Sequence, residues 1–376
     1  MPILFIDGAD HYLRQDKKWK NAVNSGSTVS GVSGMHGRAN DDDGQFFRRV
    51  SFPATTRAAF RQRFIFRANS ATNNDFIGVQ SDDSNTHLTV RRNNDGTLSV
   101  VRPSGGFTHT TTATYALDTP YEIEFRAFIS NGVGQYLLKV DGEVPARSGG
   151  GIMWGTGLDT QNGSSAFITA FFTGSDALNT YADDAVIATG NYNLGLGEVE
   201  TLYPTGPGAI GGLLRGGTDT LANFSQSNEV LYDSATTYVT STGDNQRDCY
   251  AFGAPTVEGE KYTVAVTATC QHGGSGDPQF RFRLFLHIDG DNYDGSTTHD
   301  AALTYACFQQ VWNTNPATGA AWQPGDFPVQ AGILCIDNDV QMTQLVLEVA
   351  ALTPAPDPVI AGAAHDYCGS VNEDVN

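Results

Sequence analysis

Charge, helix-forming runs and long apolar stretches are what this chain has least of. Only 17% of its 376 residues are charged, and stretches rich in Ala, Glu, Lys and Leu at helical spacing are nearly absent, which argues against a helical body. Nowhere do about eighteen apolar residues run together, so neither a transmembrane helix nor membrane insertion is expected. The opening MPILFIDGADHY has no basic region, and its apolar run Ile3–Ile6 is too short for a secretory signal. Cysteine is missing from the first half. Cys249, Cys270, Cys307, Cys335 and Cys368 form an odd set at irregular spacing, which fits neither a disulfide framework nor a zinc pattern. Buried free thiols in a protein made in the cytoplasm are expected instead.

Basic residues also thin out along the chain. The net charge is −19. Residues 1–200 are near balance, while residues 201–376 set only five Lys and Arg against twenty Asp and Glu. An acidic surface repels the phosphate backbone, so no nucleic-acid partner is expected. It also keeps a protein soluble at high local concentration, which suits a component present in many copies.

The patterns of catalysis are missing as well. There is no G-x-S-x-G elbow, and no phosphate-cradling glycine loop between a strand and a helix. The eight histidines (His11, His36, His87, His109, His272, His287, His299, His365) contain no H-x-x-x-H pair. A glycosidase needs two carboxylates opposed across a cleft. Glu122 and Glu124 share one strand face, but they read as outer-face residues without a partner, and no E-x-D-x-x-E run accompanies them. The expectation is a protein that is not an enzyme and carries no cofactor.

What is there is a two-residue rhythm. Phe60, Phe64 and Phe66 fall on one side of residues 57–68, and Arg57, Arg61, Arg63 and Arg67 on the other, an apolar face inward and a cationic row outward. Residues 121–141 alternate in the same way around Asn131-Gly132, and residues 86–102 around Asn94-Asp95-Gly96, so both read as hairpins. Further strands are expected near 46–52, 74–80, 165–173 and 181–188, and later near 229–240, 247–252, 261–270, 279–288, 304–312, 331–337 and 342–350. One short helical turn is expected around Trp322–Val329. With Gly at 42, this is an all-β protein of two jelly-roll-like β-sandwich domains. Their expected bounds are 1–202 and 218–352, with a Gly/Pro-rich junction at 203–217 and an extended tail at 353–376.

Two clusters invite a binding reading. Asp289, Asp291 and Asp294 offer hard oxygens at close spacing, as calcium prefers, yet the loop fails the EF-hand pattern, and a plain Asp-Gly turn accounts for it better. Asp41-Asp42-Asp43 reads as a solvated loop on the same grounds. Trp312 and Trp322 bracket a turn containing Asn315-Pro316 and Gly319. They suit a sugar-stacking platform or, preferably, a packed corner.

The hairpin YEIEFRAFISNGVGQYLLKVDGE (121–143), with HLTVRRNNDGTLSVV (87–101) and YADDAVIATG (181–190), resembles the concanavalin-A-like, laminin-G-like jelly roll. The whole chain resembles a group of tailed-bacteriophage virion proteins. It does so through ILFIDGADHY (3–12), VETLYPTG (199–206) and VWNTNPATGAAWQPGDF (311–327). That resemblance implies a tail, fibre or minor structural protein on the virion surface, partnered by other virion proteins. It also implies a homo-oligomer, with a trimer favoured. Contact with host surface polysaccharide fits the same setting. The alternatives are a capsid decoration protein and a carbohydrate-binding receptor protein or depolymerase. The Arg57–Arg67 row is expected to meet an acidic neighbour on the particle.

Overall fold

A computed structural model describes residues 2–8, 20–23, 38–39, 47–67, 74–81, 85–173, 180–190, 193–217, 223, 227, 237–273, 280–301 and 303–354. Cys368, His11, His36, His365, Asp41–Asp43, most of 229–240 and the tail beyond 354 lie outside them. The described residues form antiparallel sheets and one short 3-10 turn, Pro324–Asp326, which falls inside the expected helical turn at 322–329.

Four sheets lie in two pairs. The outermost sheet of the first pair runs β2 (Lys20–Val23), β4 (Phe47–Thr55), β13 (Ile168–Thr173), β6 (Asn74–Gln80), β7 (Thr86–Arg92), β8 (Thr97–Val101), β9 (Thr108–Thr114). Against it lies β1 (Ile3–Asp7), β14 (Thr180–Thr189), β5 (Arg57–Phe66), β10 (Pro120–Phe128), β11 (Gly134–Val140), β12 (Trp154–Leu158), with β3 (Arg38–Ala39) beside β14. The third sheet runs β17 (Leu214–Gly217), β18 (Thr237–Thr240), β26 (Val340–Thr353), β20 (Lys261–His272), β24 (Ala306–Trp312), with β15 (Leu196–Leu202) beside β26. The fourth runs β16 (Pro204–Gly211), β19 (Gln246–Phe252), β25 (Gln330–Cys335), β21 (Arg281–Ile288), β22 (Asp291–Asp294), with β23 (His299–Asp300) beside β21.

The molecule is therefore two jelly-roll-like β-sandwiches, each with its own apolar core. Phe60, Phe64, Phe76, Leu88, Phe125, Leu138 and Phe171 fill the first. Val264, Phe282, Leu284, Trp322, Ile333 and Leu347 fill the second. Both expected hairpins form, β10–β11 with Ala127 opposite Tyr136 and β7–β8 with Val90 opposite Val100.

Two expectations need correcting. Residues 203–217 are not a free junction, because β16 and β17 take most of them into the second pair of sheets. The glycines there serve close strand approach. A Cβ on Gly208 would sit 2.6 Å from the Cys249 carbonyl oxygen, so glycine density marks contact rather than a break. The second correction concerns 196–202. These residues pair with β26, Val199 opposite Ala350, so the second sandwich begins before the expected bound at 202.

A third apolar cluster joins the sandwiches. Ile3, Ile6, Ala59, Val186 and Ala188 from the second sheet meet Val199, Ala265, Ala350 and Leu352 from the third. The outer face of one sandwich is thereby the floor of the other. The result is a stack of four β layers.

Candidate functional site

The structure puts the centre of the predicted cationic row inside this seam. Arg61 is 0% exposed. Its Nε and Nη2 donate to Glu122 Oε2 at 3.2 and 2.8 Å, and its Nη1 donates to the Asp184 carbonyl at 3.3 Å. Arg63 forks between Glu122 (3.0 Å), Asp184 (3.1 Å) and Glu198 (3.3 Å). The acidic neighbour expected on the particle is thus supplied by the same chain. Arg57 lies over the Phe128 ring at 4.0 Å, and Arg67 pairs with Asp118 near the surface. The four arginines do not act as one surface. Strand alternation gives the shared face correctly, but it cannot say what covers that face.

Glu122 and Glu124 likewise have partners. Arg126 Nε donates to Glu124 at 2.6 Å, and the backbone N–H groups of Leu194 and Gly195 add two more bonds at 3.1 and 3.2 Å. Gly197 N–H donates to Glu122 at 3.2 Å, and Val199 N–H to Asp184 at 3.0 Å. The amides of residues 197 and 199 point the same way because a strand alternates every two residues, while Leu194 and Gly195, the latter with φ 67, lie just before the strand. Glu122 and Asp184 of the first sandwich therefore read the free edge of β15, and Glu124 reads the two residues before it. Gly197 permits the close pairing of β15 with β26, since a Cβ there would sit 2.1 Å from the Ala351 carbonyl oxygen.

The reverse contact uses amides. Asn313 accepts from Ile3 N–H at 2.7 Å and donates to its carbonyl at 3.0 Å. Gln309 treats Ile6 in the same way, at 3.2 and 2.8 Å. A register shift between Ile3 and Phe5 accounts for the three-residue spacing of these edge groups. Glu348, fully buried, accepts from Gly8 N–H, Thr267 Oγ1 and Gln309 Nε2. Each sandwich thus caps an edge strand of the other, which removes two open edges.

Electrostatics in the seam follow from burial. Asp184 sits on an irregularity in β14 with φ 54, a conformation Asp tolerates. Burial pushes its carboxyl up to about 6 against the pull of Arg61 and Arg63. Burial alone would lower the Arg63 guanidinium, but Asp184, Glu122 and Glu198 carry it above its usual value. The acid is the more deeply buried partner, so desolvation dominates there and attraction dominates at the arginine.

The other predicted residues fall elsewhere. Trp322 is 0% exposed, stacks on Phe327 with centroids 5.6 Å apart, and donates Nε1–H to the Trp312 carbonyl at 3.0 Å. Buried in the core, it cannot serve an interaction surface. Trp312 is half-buried at the end of β24. Asp289 and Gly290, with φ 52 and 90, are the two-residue turn between β21 and β22. Asp294 forks onto Arg247 at 2.5 and 2.8 Å, so that carboxylate is already neutralised. Among the described residues no group of three His, Cys, Asp or Glu side chains could hold a metal ion. Cys249, Cys270 and Cys335 are buried free thiols, and Cys307 is partly exposed.

Sequence reasoning missed Glu348, Gln309 and Asn313. One signal was available: Glu348 is the lone charge in the strand VQMTQLVLEVAALT, and a charge there needs a buried partner. The three segments 3–12, 199–206 and 311–327 all reach this seam. Ile3–Gly8 lies in the first, Val199 in the second, and Val311 and Asn313 in the third.

No protein-family model matches the chain, and no curated protein matches it. Among solved structures it is similar to a Trypanosoma rangeli sialidase in complex with 2,3-difluoro-KDN, at 13% identity and a TM-score of 0.31, over 41% of this chain and 25% of that one. It is similar to the cellulose induced protein Cip1, at 16% identity and a TM-score of 0.36, over 50% and 98%. It is also similar to domain 4 of AbnA, a GH43 extracellular arabinanase from Geobacillus stearothermophilus, at 12% identity and a TM-score of 0.33, over 50% and 82%. The chain spans about a quarter of the sialidase's length. Likeness this slight carries no argument about activity.

Proposed function

We propose that this chain is a non-enzymatic structural component of a tailed-phage virion, displayed on the particle in a tail, neck or fibre appendage. One observation carries the mechanical half of that reading. The ionisable side chains of the seam, Arg61, Arg63, Arg126, Glu122, Glu124, Asp184 and Glu348, are tied to one another or to backbone amides. Charge used in this way stiffens a joint and leaves none of those carboxylates opposed across an open cleft. Two sandwiches joined along their faces make a rigid projecting body whose loops face outward. The phage setting rests on the sequence resemblance, whose three motifs all contribute residues to the joint. Other virion proteins are the partners in this reading, further copies of the chain complete a trimeric appendage, and loops touch host surface polysaccharide.

Electron microscopy of particles labelled with an antibody to this chain tests the setting. Labelled appendages are expected, and unlabelled particles would remove it. Incubating the protein with host polysaccharide and measuring reducing ends tests the non-enzymatic half, for which no release is expected.

A further inference from the structure

A second concentration of chemistry lies outside the seam, in the first sandwich between the edge strands β9 and β12. The loop Arg147–Gly151 contains three successive glycines with φ 85, 101 and 82. Side-chain-bearing residues rarely adopt that conformation, and fixing three glycines in it carries a large entropic cost. What the loop holds is one guanidinium. Arg147 Nε donates to the Gly150 carbonyl at 3.0 Å, and Arg147 N–H to the Gly151 carbonyl at 2.9 Å. A Cβ on Gly151 would stand 3.3 Å from Arg147 Nη2, so the side chain lies on bare backbone. Ser148 N–H, donating to the Thr110 carbonyl at 2.8 Å, ties the loop to β9.

The neighbours of this arginine are backbone carbonyls and rings. His109 Nδ1 lies 2.5 Å from the Tyr136 hydroxyl and 3.5 Å from Arg147 Nη1. A guanidinium can only donate, so Nδ1 accepts and the imidazole proton sits on Nε2. Burial and the Arg147 charge both lower the His109 pKa, which keeps the ring neutral. The half-buried Phe107 ring stands 4.9 Å from His109 and 5.8 Å from Tyr136. Arg147 meets no carboxylate among the described residues, in a chain holding 41 Asp and Glu.

We infer that this loop and its neighbouring rings bind a carboxylate-bearing sugar. Arg147 takes the carboxylate through its planar fork, and Phe107 lies against the sugar's apolar face. An arginine fork matches carboxylate geometry two bonds at a time, and the Phe107 ring, set against His109 and Tyr136, supplies the apolar contact that a pyranose takes. The acidity of the chain is concentrated in residues 201–376, so the repulsion felt here is the weaker part of it. The inference rests on the proposed contact with host polysaccharide and names the class of sugar.

The test is calorimetric titration of the full chain with tetragalacturonate and with the neutral maltotetraose. Binding of the acidic sugar alone is expected, weakening as salt is raised. Arg147→Gln is expected to weaken it by about tenfold or more with the melting temperature unchanged. Arg147→Lys keeps the charge but not the fork, and should fall between. Equal binding of both sugars, or full binding by a folded Arg147→Gln, would overturn the site. Should host polysaccharide bind wild type and Arg147→Gln alike, the glycan contact stands and this site falls. No binding of tetragalacturonate overturns the site and leaves particle labelling to decide the wider proposal.

Discussion

The two sandwich cores and the seam between them are built from opposite materials. Each core is almost wholly apolar, with Phe60, Phe125 and Phe171 on one side of the molecule and Phe282, Trp322 and Leu347 on the other. The seam combines a small apolar cluster with arginines, carboxylates and amides that have left water. A core is held by area and fit, which tolerate many sequences of the right volume. A seam of buried charge tolerates little, because one lost partner strands the other. Its contribution is therefore to specify one docking arrangement more than to add stability.

The largest effect should come from the core. Trp322→Ala removes the biggest fully buried side chain and is expected to cost about 3–5 kcal/mol in denaturant melts. Arg61→Ala follows closely, since it leaves Glu122 short of a buried partner, at about 3 kcal/mol or more. The double variant Arg61→Met with Glu122→Leu should recover part of that loss, since Arg63 and the Gly197 N–H still lose their Glu122 acceptor. If it recovers nothing, the view that stranded charge sets the cost is wrong. Charge reversal at Arg61 and Arg63 would act on the fold, so it does not report on assembly at a particle surface.

Acid should separate core from seam. His299 lies between Phe282 and Phe308 at 5.3 and 5.4 Å, and burial lowers its pKa to about 4. A base whose folded pKa lies below its unfolded value contributes stability that is present above the unfolded pKa. That stability is lost as pH falls from about 6.5 toward about 4. Asp184 has the opposite sign. Its raised pKa contributes most below its ordinary value of 3.8 and is lost as pH rises through about 6. Melts of His299→Phe across this window should lose less stability on acidification than wild type. An unchanged slope would remove His299 from the account.

Smaller effects bear on the clamps. Asn313→Ala leaves the Ile3 N–H and carbonyl without their partner and should cost about 1–3 kcal/mol. Faster hydrogen exchange in β1 is the direct readout. Arg67→Ala, at the exposed pair with Asp118, should cost less than about 1 kcal/mol. A larger loss there would blur the contrast between buried and exposed charge.

Much of this could be read from the chain, and the reasons are local. Alternation placed Phe60, Phe64 and Phe66 on one face and Arg61 and Arg63 on the other, because side chains on a strand alternate by steric necessity. Turn chemistry placed the hairpins at Asn131-Gly132 and Asp95-Gly96, because those residues accept positive φ. The strand β22 was hidden by its acidity, since a carboxylate that pairs with Arg247 looks the same in sequence as one that binds an ion. Residues 203–217 misled for a related reason, as glycine serves both breaks and close contacts.

The sequence by itself determined that this protein is β-structured, that its strands present apolar and polar faces, and that no helix organises its described residues. Only the tertiary structure decided that the arginine-bearing face of one sandwich lies against the other. It also decided that Glu348, Gln309 and Asn313 meet residues some three hundred positions away. Strand rhythm is a property of neighbours along the chain. The partner of a buried charge is chosen by packing between surfaces that no local pattern records.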